Sequence, residues 1–198
     1  MKSRDSLGPS LRTTQALLRL RVTVAAESAI RGGHPWVFAD SIREQNRAGR
    51  LGELGVIYDR RDRFLGIGLF DPESPLRMRM LHAGKPQTIG SNWWKERLNN
   101  TVARRDGLFD AQTNGFRLIN GESDGWPGLV LDRYGAAFVL KLYSGIWLPR
   151  LHEMVGIICQ GMQPGRLVLR LSRNIQTMAG DEFDRSDGQE LLSGSTAQ

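Results

Sequence analysis

Three carboxylates, Glu122, Asp124 and Asp132, fall inside the segment Asn120–Gly135, NGESDGWPGLVLDRYG, between two apolar runs. Two acids one residue apart beside a glycine-rich turn could hold a Mg²⁺ ion or work as an acid/base pair. The same residue types in such turns more often accept backbone N–H bonds, and that structural use is the favoured reading. Asp132-Arg133 reads as a local ion pair or a turn cap. A second set of chemistry-bearing residues is basic. Arg31, His34 and Trp36 place a cation, a titratable ring and a large aromatic within six residues, and Arg60, Arg61, Arg77 and Arg79 add charge from nearby predicted strands. Planar guanidinium forks suit phosphates, and nothing acidic adjoins Arg77 or Arg79 in sequence. For Trp36 and Phe38 the alternation favours a place in the core, with His34 bonding the turn as the plainer reading.

Other chemistries lack their residues. A Rossmann-type dinucleotide or S-adenosylmethionine site needs a strand, a glycine-rich turn and a helix N-terminus. Gly66-Ile67-Gly68 is the near match, but Asp71 stands at the third glycine position and the run falls among strands instead of before a helix. No catalytic, cofactor or metal residue is therefore expected in these residues. The single cysteine, Cys159, excludes an internal disulfide or a zinc knuckle, and its place on an apolar helical stripe makes it a small buried hydrophobe.

The elements that must position these residues divide in two. From residue 17 to 82 the pattern is of short strands broken by glycine: Leu18, Leu20 and Val22 alternate with Arg19 and Arg21, Ala25–Ile30 allows a helical turn, and further strands are expected over 53–58, 64–70 and 76–81. This is a small barrel-like β domain. Residues 83–90, with Gly84 and Pro86, read as a linker. Beyond it Trp94, Leu98 and Val102 recur at helical spacing, with Ser91 as the expected cap. A strand ending near Asn120, the glycine-rich segment, strands at 129–134 and 137–143, a helix on Leu151, Met154, Val155, Ile158 and Met162, and a strand at 166–171 complete a central α+β domain over 91–175. A helix there packs on a short mixed sheet. The fold class is α+β. Residues 1–16 read as a flexible tail and 176–198 as a polar tail, with 180–198 expected to be poorly ordered.

The net charge is +6 and the sequence pI about 10.1. The charge is uneven: 176–198 carry one basic residue against five acidic, leaving 26 Lys and Arg against 16 Asp and Glu before them. The basic part favours a polyanionic partner. No apolar run approaches the length of a membrane span and the start lacks a secretory signal, so a cytoplasmic protein is expected, with a transit peptide the lesser reading of the Ser- and Arg-rich start.

The segment at 120–135, together with Gly33-His34-Pro35-Trp36-Val37-Phe38 and Ser74-Pro75-Leu76-Arg77-Met78-Arg79, closely resembles large-subunit ribosomal RNA cytosine-5 methyltransferases that carry an N-terminal PUA domain and use S-adenosylmethionine. The resemblance covers about residues 18–192. It implies a PUA-type β-barrel over 17–82, an RNA surface on that domain and ribosomal RNA as the partner, while the choice of Arg31, His34, Arg60, Arg61, Arg77 and Arg79 as the RNA-binding residues comes from their types and places in the sequence. It also implies that methyl transfer belongs to a C-terminal Rossmann-like domain whose cofactor and catalytic motifs have no counterpart in these residues. The expected function is the RNA-binding part of such an enzyme, not catalytic alone. Two other readings remain: a stand-alone RNA-binding adaptor, and a small metal-dependent hydrolase built on Glu122 and Asp124.

Overall fold

The computed structural model describes residues 16–179 and the backbone of 189–193. Strand β1 (Leu18–Val22) buries Leu18, Leu20 and Val22 and turns Arg19 outward, as its alternation requires. Thr23 then caps helix α1 (Val24–Arg31), its hydroxyl accepting from the Ala26 N–H at 3.3 Å. β2 (Trp36–Val37), β3 (Ile42–Gln45), β4 (Leu54–Tyr58), β5 (Phe64–Phe70) and β6 (Met78–Ala83) complete a six-stranded sheet in the order β2-β6-β5-β4-β1-β3. Only β1 and β4 run parallel. Register shifts between β1 and β3, β4 and β5, and β5 and β6 increase the twist that curls this sheet.

The second sheet follows α2 (Ser91–Ala103) and contains β7 (Gly115–Asn120), β8 (Leu129–Tyr134) and β9 (Ala137–Leu142), then β10 (Arg166–Leu171) after α3 (Leu151–Met162). After α4 (Arg173–Ala179), β11 (Gln189–Ser193) pairs antiparallel with β10, giving the order β11-β10-β9-β8-β7. The parallel pair β9–β10 is the one that needs a crossover, and α3 supplies it.

The two sheets are not independent. One face of the first packs under α1 through Leu18, Leu20, Ile30, Ile57, Leu65, Phe70 and Met78. Its other face, Val56, Ile67, Leu69 and Leu81, joins a single core with Trp94, Leu98, Trp126, Leu131, Leu140, Trp147 and Ile158. Burial on both sides explains why β4 and β5 read as near-continuous apolar runs. It also explains the glycines of β5: a Cβ at Gly68 would meet the Arg79 carbonyl oxygen at 2.4 Å. Gly66-Ile67-Gly68 thus lies within a strand and serves close packing.

Residues 84–90 lie outside helix and strand, and Ile89 near the end of that stretch is buried in the shared core. Several expectations need correction. The polar stretch after Phe38 contains β3, and the central domain continues past residue 175 into α4 and β11. The poorly ordered tail expected over 180–198 is interrupted by β11, and the rest of it, like residues 1–15, lies outside the described residues. Ser91 does not cap α2: Gly90 occupies the cap position and the Ser91 hydroxyl donates to Glu153 at 3.1 Å. Trp36 and Phe38 are 38% and 44% exposed, with Val37 inward, so the alternation has the opposite phase. Edge strand β2 spans only two residues, too few for a period-2 pattern to mark its buried face.

Candidate nucleic-acid interface

The glycine-rich segment is a knot of buried anchors that aims its carboxylates at arginines. Gly121–Asp124 form a 3₁₀ turn, and Gly125 and Gly128 adopt φ of 77° and 68°, in the left-handed region. Between them Trp126 is fully buried, its indole N–H donating to Thr101 Oγ1 at 3.1 Å. The Pro127 carbonyl accepts from the equally buried Trp147 indole at 2.7 Å. Trp94 lies with its ring centroid 5.2 Å from Trp126 and 5.5 Å from Trp147.

Each carboxylate is consumed by this arrangement. Asp124 is buried and accepts from the Asn120 N–H at 2.8 Å, from Arg104 at 3.4 Å and from Arg105. Glu122 turns the other way, toward the first sheet, and accepts from Arg79 Nη1 and Trp36 Nε1, both at 3.2 Å. Asp132 pairs with Arg117 and Lys141 at 2.8 Å each and not with Arg133, which donates to the Gly135 carbonyl. Burial alone would raise the Asp132 carboxyl, but the hydrogen bonds from Arg117 and Lys141 outweigh it and hold it below the usual range. Glu122 and Asp124 are thus not a convergent pair, and the acid/base and Mg²⁺ readings lose their donors to arginine.

Arg97 ties the knot to the first sheet. Its guanidinium donates to the Gly125 carbonyl at 2.8 Å and the Leu81 carbonyl at 3.0 Å, and lies 4.0 Å from the Trp93 ring centroid. Burial, with Arg104 nearby, pushes its pKa down to about 10. The left-handed φ at Gly125 favours glycine, and a Cβ there would push the Arg97 guanidinium away from its carbonyl acceptors.

The basic residues singled out in the sequence occupy more than one patch. Arg31, Arg60 and Arg61 gather with Arg63 around two buried carboxylates, Glu27 and Asp59. Arg60 and Arg61 contribute backbone N–H bonds there and their residues are exposed. His34 bonds the turn, its Nδ1 lying 3.1 Å from the Trp36 carbonyl and 3.3 Å from the Trp36 N–H. Arg77 donates to the Asp71 carbonyl at 3.3 Å. Arg79 has an acidic partner after all: its side chain, 16% exposed, meets Glu122, 43 residues away in sequence. Sequence reasoning passed over Arg63, Arg97, Arg117 and Lys141; an acidic partner across a strand pair or a carbonyl from a distant turn leaves no local signal.

Asp59 makes a pH test possible. The Arg63 backbone N–H foremost, then the Arg63 side chain and the Arg61 N–H, hold its carboxyl far below the usual range against the pull of burial. A depressed folded-state pKa stabilises the fold fully above the unfolded value, about 3.9, and that contribution is lost as pH falls toward the folded value. Acid unfolding followed by circular dichroism is therefore expected to steepen below about pH 4, and D59N should flatten that dependence. An unchanged acid limb in the variant would refute the assignment.

Residues 20–83 match the family model described as a PUA-like domain. The chain carries a PUA-like domain. Beyond that domain it is homologous to the N-terminal part of ribosomal RNA large subunit methyltransferases. It is 53% identical over 179 residues to a ribosomal RNA large subunit methyltransferase of Deinococcus radiodurans, covering 88% of this chain and 44% of the relative. It is 36% identical over 119 residues to ribosomal RNA large subunit methyltransferase I of Alteromonas mediterranea, covering 60% and 30% of the two chains. The chain thus spans less than half the length of these relatives. Among solved structures, a Streptococcus mutans protein assigned as a SAM-dependent methyltransferase superposes with a TM-score of 0.73 at 16% identity, covering 92% of this chain and 44% of that one. Another, assigned as a methyltransferase and solved with SAH, gives 0.74 over 91% and 44% at 16% identity. At that identity the likeness is one of fold. The α+β class with a curled PUA-like sheet is as the sequence indicated.

Among the described residues, the glycine pair at 66–68 does not form a Rossmann-type S-adenosylmethionine site. The one glycine pair with near-matching spacing is inside β5, packed against the Arg79 backbone, with no helix N-terminus after it. Among the described residues no helix is long and apolar enough to cross a membrane.

Proposed function

We propose that these residues are the RNA-positioning part of an S-adenosylmethionine-dependent ribosomal RNA methyltransferase, and that methyl transfer to a cytosine carbon is carried out outside them. The observation that carries this reading is the 53% identity to the Deinococcus methyltransferase across both sheets, with a PUA-like domain at 20–83. Arg31, Arg60, Arg61 and Arg77 are the phosphate-facing candidates of the PUA-like domain. His34 orders the turn beside them. Arg79 acts through its pair with Glu122, fixing the PUA-like domain against the glycine-rich knot. RNA held on the first sheet is then presented at a set angle to whatever lies beyond the second, because the two sheets share one core. Structured RNA is read mainly through phosphates and hydroxyls, so this surface orients a substrate more than it selects a sequence. The cytoplasm is the compartment this function requires.

Binding of a ribosomal RNA fragment should follow counterion release. Four phosphate contacts give a log–log slope against salt of about −3.6, so affinity should fall on the order of 100-fold between 50 and 200 mM salt. R60A with R61A should shallow that slope by about 2. A salt-insensitive interaction, or a double variant with the parental slope, would overturn the assignment.

A further inference from the structure

The helices α2 and α3 cover one face of the second sheet, where Leu131, Leu140, Leu142 and Leu169 enter the core. Strand alternation turns Asp132, Tyr134, Lys141 and Arg170 to the opposite face, and Tyr143, just past β9, lines a groove beside Lys141 and Arg170. Tyr134 and Tyr143 are 56% and 57% exposed. We propose that this face is a platform for an unpaired RNA segment, with Tyr134 and Tyr143 stacking on bases and Lys141, Arg170 and Arg173 holding phosphates. The proposal rests on the RNA-binding reading above and adds a second surface to it.

Three observations carry it. First, the charge is weighted to one sign: Arg117, Lys141, Arg170 and Arg173 stand against Asp132, which is already divided between Arg117 and Lys141, and Glu122, which lines a groove with Tyr143, is paired with Arg79. Second, the β9–β10 register sets Lys141 directly opposite Arg170. Like charges facing across a strand pair repel, and a bound polyanion removes that cost. Third, Tyr143, Arg170, Ser172, Arg173 and Gln176 line one shallow groove that meets Lys141, placing an aromatic face between cations and polar side chains. Tyr134 stands opposite Ala137, six residues before Tyr143 along the strand, a separation of about 20 Å that a few extended nucleotides can bridge. Aromatic faces on an open sheet accept unstacked bases and have nothing to offer a closed duplex, which makes the occupant single-stranded.

Fluorescence anisotropy with a labelled, unstructured oligoribonucleotide and with a blunt RNA duplex tests this. The double variant Y134A/Y143A should weaken the oligonucleotide by about 30-fold or more and leave the duplex unchanged. Y143F should retain parental affinity, since stacking needs the ring and not the hydroxyl. Both tyrosines are exposed, and an unchanged melting temperature will show that the fold persists. Equal oligonucleotide affinity in the double variant and the parent overturns the proposal. So does loss of binding to the separately produced remainder of the Deinococcus relative with RNA binding intact, which would assign the face to a protein contact. If the parent binds duplex and not oligonucleotide, this platform fails while the PUA-like surface stands; binding of neither sinks both.

Discussion

Replacing Trp126 with alanine is expected to cost about 3–5 kcal/mol of unfolding free energy. The side chain is fully buried and its ring centroid lies 5.2 Å from Trp94 and 6.1 Å from Trp147. These rings sit where the two sheets meet, so the cavity left behind opens in a core both share and neither sheet alone can collapse into it. The indole N–H also satisfies Thr101, whose own hydroxyl donates to the Arg97 carbonyl. W126F separates the two effects: it keeps most of the packing and should cost about 1–2 kcal/mol for the lost hydrogen bond and volume. Urea unfolding followed by circular dichroism measures both. A loss below about 1 kcal/mol for W126A would show that the knot is not structural. Separate transitions for the two sheets would show that they do not share one core.

Removing the Asp124 carboxylate with D124A should be nearly as damaging, at about 3–5 kcal/mol, because it leaves Arg105 largely buried with no counter-charge. The Arg105 side chain is 15% exposed, whereas Arg104 is 58% exposed and can turn to water. The loss should therefore come chiefly from Arg105 and from the Asn120 N–H, which loses its acceptor in the 3₁₀ turn. Restoring an oxygen with D124N should recover part of the stability by accepting from Asn120. In the double variant D124A/R105A the second change should add much less than it costs alone, the mark of coupled partners. Full additivity would contradict the pairing.

How far these features were legible in sequence depended on the range of the interaction behind them. Leu18, Leu20 and Val22 announced β1 because alternation is a local consequence of the pleat, and the positive-φ turns of the 120–135 segment were legible because Gly121, Gly125, Gly128 and Gly135 mark them. The helical stripe of α3 was legible for the same reason, Leu151, Met154 and Ile158 all being buried. What escaped was long-range. No local rule pairs Arg79 with Glu122 or sends Arg97 to carbonyls of two different elements. The polar run after Phe38 concealed β3 because its residues, paired only to β1 at the sheet edge, bury little and show no apolar alternation. β11 was missed for a related reason: it is an edge strand whose pairing with β10, not its own composition, makes it a strand. The Trp36 phase error came from inferring a core position where the ring in fact reaches across to Glu122.

The division of labour proposed here is open to one direct measurement. Purified chain is mixed with a large-subunit ribosomal RNA fragment and radiolabelled S-adenosylmethionine at low salt, and the complex is captured on a filter and read for both RNA and methyl label. The account predicts that RNA is retained and that no label enters it. Label incorporated into the RNA by this chain alone, or RNA that passes through unbound, would contradict it.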